Sequence, residues 1–95
     1  MDLPPSMLDG ARLLRYAFVD NTVVPTGKTV HRVRGKVLGP AAALAICQYD
    51  GKDSEAGFYL FYCDAEWNVI TDTLHESLEL ALGQAEFEYR GVRFQ

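Results

Sequence analysis

The chain reads as an α+β domain: an antiparallel β-sheet of four to six strands with one C-terminal α-helix packed on one face. Three observations carry this expectation. Phe58-Tyr-Leu-Phe-Tyr-Cys63 is apolar throughout, as a strand covered on both faces must be. Leu74, Leu78, Ala81, Leu82, Ala85 and Tyr89 recur at helical spacing and mark one apolar stripe. The remaining apolar runs are short and are separated by Asp20-Asn21, Pro25-Thr-Gly27, Gly39-Pro40 and Asp50-Gly51, residues that favour turns. Ninety-five residues suffice for one core and no second. Residues 11–95 are therefore expected to form a single domain.

In chain order, residues 1–10 contain two prolines, a glycine and two aspartates and read as a flexible lead-in. Residues 11–19 form a strand with Leu14, Tyr16 and Phe18 on one face, and with Arg12 and Arg15 on opposite faces. Val23 and Val24 make a short edge piece. Residues 29–38 are an exposed strand or a loose hairpin at Gly35, and their Arg and Lys side chains suit an edge, where charge discourages unwanted pairing. Residues 41–49 stay open between helix, which the alanines favour, and strand. A hairpin with residues 58–63 is the economical choice. Folded about residues 53–54, it sets Cys47 opposite Leu60 and Cys63 opposite Leu44.

Residues 64–68 form a turn around Trp67, and residues 69–71 return as a strand. Ser77 is a good N-cap with Glu79 in the first turn, although Thr73-Leu-His-Glu76 offers a capping box slightly earlier. Glu76, Glu79, Glu86 and Glu88 are expected to line the outer side of the helix. Gly83 costs the helix ~1 kcal/mol relative to alanine, and nothing in the sequence accounts for it. Gly91 ends the helix, and residues 92–94 are expected to add a last short strand.

The composition, 48% hydrophobic and 23% charged, excludes a disordered chain. A net charge of −4 conceals a polarity: residues 1–49 hold six Lys/Arg against three Asp/Glu, residues 50–95 three against ten. The basic part gathers at Lys28, Arg32, Arg34 and Lys36, with His31 among them. Either the halves neutralise each other across neighbouring strands, or an acidic face meets a basic partner. Four clustered bases on an acidic chain are too thin a footprint for nucleic acid. The N-terminus lacks the basic start and apolar core of a signal peptide, and no apolar run approaches the ~20 residues that span a membrane. Cys47 and Cys63 show no CxxC spacing, so a cytoplasmic chain with both thiols reduced is expected.

Chemistry has little to work with. No paired metal-ligand spacing, phosphate-binding loop or hydrolase elbow is present, so neither metal nor cofactor is expected. The one constellation that could be reactive is Cys63, Asp72 and His75 near the strand-to-helix junction, a thiol, a carboxylate and an imidazole. Asp72 serves equally as a turn residue and His75 as a first-turn surface residue.

The apolar strand suggests more. Alternation sends Phe58, Leu60 and Tyr62 to one face and Tyr59, Phe61 and Cys63 to the other, while one helix covers one face. The second face is expected to meet a protein partner or a second copy of the chain, through Tyr59, Phe61 and Tyr49 with Trp67 at the rim. That makes the chain a non-catalytic binding domain. The alternative is a small-ligand binder or enzyme using the uncovered sheet face as a pocket.

Tyr59-Leu-Phe-Tyr-Cys-Asp64, Trp67-Asn-Val-Ile-Thr-Asp-Thr73, His75-Glu-Ser-Leu-Glu79 and Gln84-Ala-Glu-Phe-Glu-Tyr89 resemble the C-terminal half of small uncharacterised bacterial proteins. Some short acidic proteins of similar build serve as immunity proteins that neutralise a neighbouring cell's toxin. The resemblance covers residues 58–91. It implies an inhibitor and assigns no functional residue.

Overall fold

The computed structural model describes residues 1–51 and 56–95. The elements run β1 (Met7–Leu8), β2 (Ala11–Phe18), β3 (Val24–Pro25), β4 (Arg32–Val33), β5 (Lys36–Val37), β6 (Ala43–Gln48), β7 (Phe58–Cys63), β8 (Val69–His75), α1 (Leu78–Glu88) and β9 (Tyr89–Arg90). Five of them make one antiparallel sheet in the order β1-β2-β6-β7-β8, and α1 is the one α-helix among the described residues, so the α+β expectation holds.

The apolar run at residues 58–63 becomes β7, flanked by β6 and β8, with both faces covered as its composition requires. Leu44, Ile46, Leu60 and Tyr62 face α1 and pack with Ala81, Ala85 and Tyr89. Ala43, Ala45, Cys47, Phe61 and Cys63 make the second cluster on the other face. Residues 43–48 are strand, because every side chain from Ala43 to Cys47 is needed by one core or the other. Cys47 lies opposite Tyr59 and Cys63 opposite Ala43, one residue away from the expected register. The turn expected about residues 53–54 lies outside the described residues.

A bulge between Leu13 and Arg15 corrects the reading of β2. The extra residue is Leu14, so Leu13, not Leu14, joins Tyr16 and Phe18 on one face, against Cys47, Ala45 and Ala43. The same shift puts Arg12 and Arg15 on one side, opposite Gln48 and Ile46. Residues 1–10 are more than a lead-in. β1 pairs with β2, Leu8 is buried, and Leu13 N donates to Ser6 O.

Ser77 caps α1, its hydroxyl accepting from Leu80 N at 3.1 Å. Ala81 and Ala85 are fully buried, while Leu78 and Leu82 lie only half-buried at the flanks. Leu74 belongs to β8 and is exposed. The last strand is Tyr89–Arg90, pairing with β3, earlier than residues 92–94. Gln95 N donates to Tyr16 O at 2.8 Å beside β2.

β4 and β5 form the hairpin expected at Gly35. Arg34 and Gly35 both take positive φ, 53° and 79°, which is the two-residue turn whose twist matches its flanking strands.

Candidate functional site

Glu88 is the one buried charged residue among the described residues, 5% exposed, in the last turn of α1. The expected outer row of glutamates is thus wrong for this member. Glu88 follows Ala81 and Ala85 at helical spacing, and so faces the sheet. A carboxylate at a helix C-terminus is opposed by the helix dipole, and burial adds to that cost. Three donors offset it. Tyr62 OH donates to Oε2, Gln84 Nε2 donates to Oε2 at 3.0 Å, and His31 Nε2 lies 2.6 Å from Oε1.

The cluster extends outward from this carboxylate. His31 Nε2 faces an acceptor and donates to it, and Nδ1 lies 3.3 Å from Thr71 Oγ1 on the other side of the ring. The His31 ring also lies 4.2 Å from that of Tyr62, centroid to centroid. Thr73 Oγ1 contacts Tyr62 OH at 3.4 Å and His75 Nε2 at 2.7 Å. Burial first, then the bond to Glu88, pushes the Tyr62 hydroxyl well above the usual phenol range. Burial lowers the His75 imidazole below its ordinary value, against a smaller opposing pull from Glu88. Beside the cluster opens a cleft of about 290 Å³, lined by His31, Pro40, Ala41, Tyr62, Thr71 and Tyr89 among others. Tyr89 OH accepts from Ala41 N at 2.9 Å and holds its rim.

Every buried side-chain nitrogen and oxygen among the described residues has a partner. Each side-chain nitrogen and oxygen of Glu88 and His31 has a neighbour to bond, and the cluster forms a clasp. It ties residues 26–31, just ahead of the β4–β5 hairpin, to the end of α1. Thr26 strengthens the tie, its hydroxyl donating to Phe87 O at 2.7 Å and its amide to Glu88 O at 2.9 Å.

The Cys63–Asp72–His75 constellation does not assemble. Asp72 pairs with Phe61 and Cys63 packs in the same far-side cluster, whereas His75 pairs with Phe58 on the helix side. Burial pushes the Cys63 and Cys47 thiols up to about 12, the opposite of what a nucleophile needs. Among the described residues no group of three or more His, Cys, Asp or Glu could hold a metal.

The expected interface residues divide. Phe61 is 1% exposed and Trp67 5%, so both are core within a single chain. Trp67 folds back from the β7–β8 turn at φ 65°, packs edge-on against Tyr16 and Phe18, and donates from Nε1 to Asp2 O at 2.8 Å. Together with Leu8 it closes the face that was expected to be open. Tyr59 and Tyr49 are half-buried and stack edge to face at 5.4 Å, with Tyr49 OH donating to Asp9 O.

The surface that remains is elsewhere. Arg32, Val33, Lys36 and Val37 are all exposed in the hairpin, as are Lys28, Val30 and Arg34 around it. No known family model, curated protein or solved structure matches this chain. Among the described residues no helix is long and apolar enough to cross a membrane.

Proposed function

We propose that the chain is a non-catalytic protein-binding domain that presents the β4–β5 hairpin to an acidic partner protein. One observation carries the reading: the hairpin exposes both of its faces, joins two valines to three cations with Val30 and Lys28 just ahead of it, and is nevertheless pinned at its base. Residues 21–49 contain Lys28, Arg32, Arg34 and Lys36 and no Asp or Glu. Isolated two-stranded hairpins are marginal in water, so a clasp that holds the approach to this one favours a presented shape. Exposed valines supply apolar contact, and clustered cations steer an acidic surface to it. The immunity-type resemblance of residues 58–91 fits an inhibitor of this kind, in which the C-terminal half is scaffold and the hairpin is reach.

The test compares the native chain with an Arg32→Gln/Arg34→Gln/Lys36→Gln variant as baits for capture at low and high salt. These side chains are exposed, so the variant should fold as the native chain does. A discrete acidic protein should bind the native bait, leave in high salt, and be missing from the variant. Equal capture by both baits would refute the reading, and so would comparable retention of double-stranded DNA.

A second reading, a small-ligand binder, is favoured by the 290 Å³ cleft, whose size approaches that of ordinary ligand sites. It differs from the pocket first expected, because it lies beside His31 and not on the sheet face closed by Trp67. Fragment screening by NMR addresses it, and shifts confined to residues outside the cleft would count against it.

A further inference from the structure

We infer that the cleft beside the hairpin receives an aromatic side chain of the acidic partner, followed two residues on by an acid that pairs with Lys36. This rests on the hairpin reading and deepens it, because it gives the cationic surface an apolar anchor point. The face of the hairpin that looks onto the cleft comes first. Leu38 N donates to His31 O at 2.8 Å, so the ladder of Val33–Lys36 and Arg32–Val37 continues down to a His31–Leu38 pair. Residues directly opposite each other share a face, and successive pairs alternate. His31, Leu38, Val33 and Lys36 therefore lie on one side, and His31 and Leu38 line the cleft. Val30 and Val37, on the other side, line a different hollow. Lys36 is thus placed above the cleft, roughly 7 Å along the strand from Leu38.

The opposite wall is shaped by a bulge. Tyr62 pairs with Thr71 and Cys63 with Val69, which leaves Ile70 as the extra residue. Successive residues of a regular strand face opposite ways, yet Ile70 and Thr71 both line the cleft. The bulge has set Ile70, 45% exposed, on its rim. With Leu38 and Pro40 it offers apolar contact to a guest.

The polar groups of the wall select the kind of guest, because the chain itself engages them. Tyr62 OH donates to Glu88, His31 contacts Glu88 and Thr71, and Ala41 N donates to Tyr89 OH. Asp64, the one acid among the described residues of the wall, accepts from Glu66 N and Asn68 N through Oδ1 and from Asn68 Nδ2 through Oδ2. A free small molecule needs polar groups to fix its orientation. A side chain needs none, being oriented by its own backbone and by the charges beside it. The volume of about 290 Å³ lies just under the usual range for a whole ligand and suits one ring. Charge then places the partner's acid at Lys36 and away from Asp64. Two residues of extended partner chain span roughly 7 Å, which matches the step from Leu38 to Lys36.

NMR titration of the isotope-labelled full chain with two short extended peptides tests this. Both carry a glutamate, and two positions before it one has tryptophan and the other alanine. The tryptophan peptide should bind about ten-fold tighter, with shifts at Ala41, Ile70 and Thr71. Ile70→Thr, still β-branched at an exposed position, should keep Tm and lose most of that preference. Lys36→Gln should weaken both peptides and preserve their ratio. Failure of the tryptophan peptide to bind, or equal affinity for the two peptides, overturns the inference on the native chain alone. So does a preference untouched by Ile70→Thr, or binding untouched by Lys36→Gln. Free indole held as tightly as the tryptophan peptide also overturns it and marks a small-molecule site. Salt-sensitive capture of an acidic protein by the hairpin can stand in each of these cases, and it can fail while the tryptophan preference persists, so the two ideas are told apart.

Discussion

At the scale of single residues, Glu88 shows how a buried charge can organise a surface. Removing it leaves the Tyr62 hydroxyl, the Gln84 amide and His31 without their common acceptor, the costly half of breaking a buried pair. Glu88→Ala is therefore expected to destabilise by about 3 kcal/mol in urea denaturation, with Glu88→Gln milder because it keeps an acceptor. A loss below about 0.5 kcal/mol, typical of open surface, would mean that the clasp contributes nothing. The spacing of 81, 85 and 88 contained the signal for its burial. Its charge, and its neighbour Glu86 on the outside, pointed the other way. His31 was legible only as one member of a basic run, because its partner lies fifty-seven positions along the chain. The cysteines were easier: two apolar strands and no paired spacing suffice to predict buried, reduced thiols, and both are free.

At the scale of elements, α1 was readable in type, cap and approximate limits, since Ser77 and the apolar repeat are local features. Which side chains bear the packing was less so. The sequence puts Ala81 and Ala85 on the stripe with Leu78 and Leu82, and the geometry gives the buried contact to the alanines, which let the helix axis lie close over Leu44, Ile46, Leu60 and Tyr62. Leu82→Ala should accordingly cost only about 1 kcal/mol, below the usual range for a fully buried leucine. Chemical denaturation of that single variant decides it, and a cost of several kcal/mol would restore Leu82 to the centre of the contact. Strands were legible wherever they are apolar on both faces. The β2 bulge was invisible, for an inserted residue leaves no periodic trace and still exchanges Leu13 with Leu14.

At the scale of the molecule, the mismatch between two apolar faces and one helix was a sound observation with an unexpected answer. The chain resolves it internally: the turn at Trp67 folds over the far face, and residues 2–8 lock it there. Deleting residues 1–9 removes Leu8, β1 and the acceptor of the indole, so Tm should fall and Trp67 fluorescence should shift to the red. An unchanged emission maximum in the shortened chain would mean that this segment is dispensable. The prolines and aspartates of the segment hid this role, since its anchoring uses a backbone carbonyl and one leucine. A different consequence follows from the pairing of β2 with β6. All of residues 19–42, hairpin included, form an excursion between two adjacent strands. Loop closure depends only logarithmically on length, so even doubling a flexible loop costs about 0.6 kcal/mol. The hairpin tip, beyond the clasp at His31, can thus be lengthened or rewritten with little effect on the sheet. Sequence change at the tip is therefore expected to leave the scaffold beneath it undisturbed.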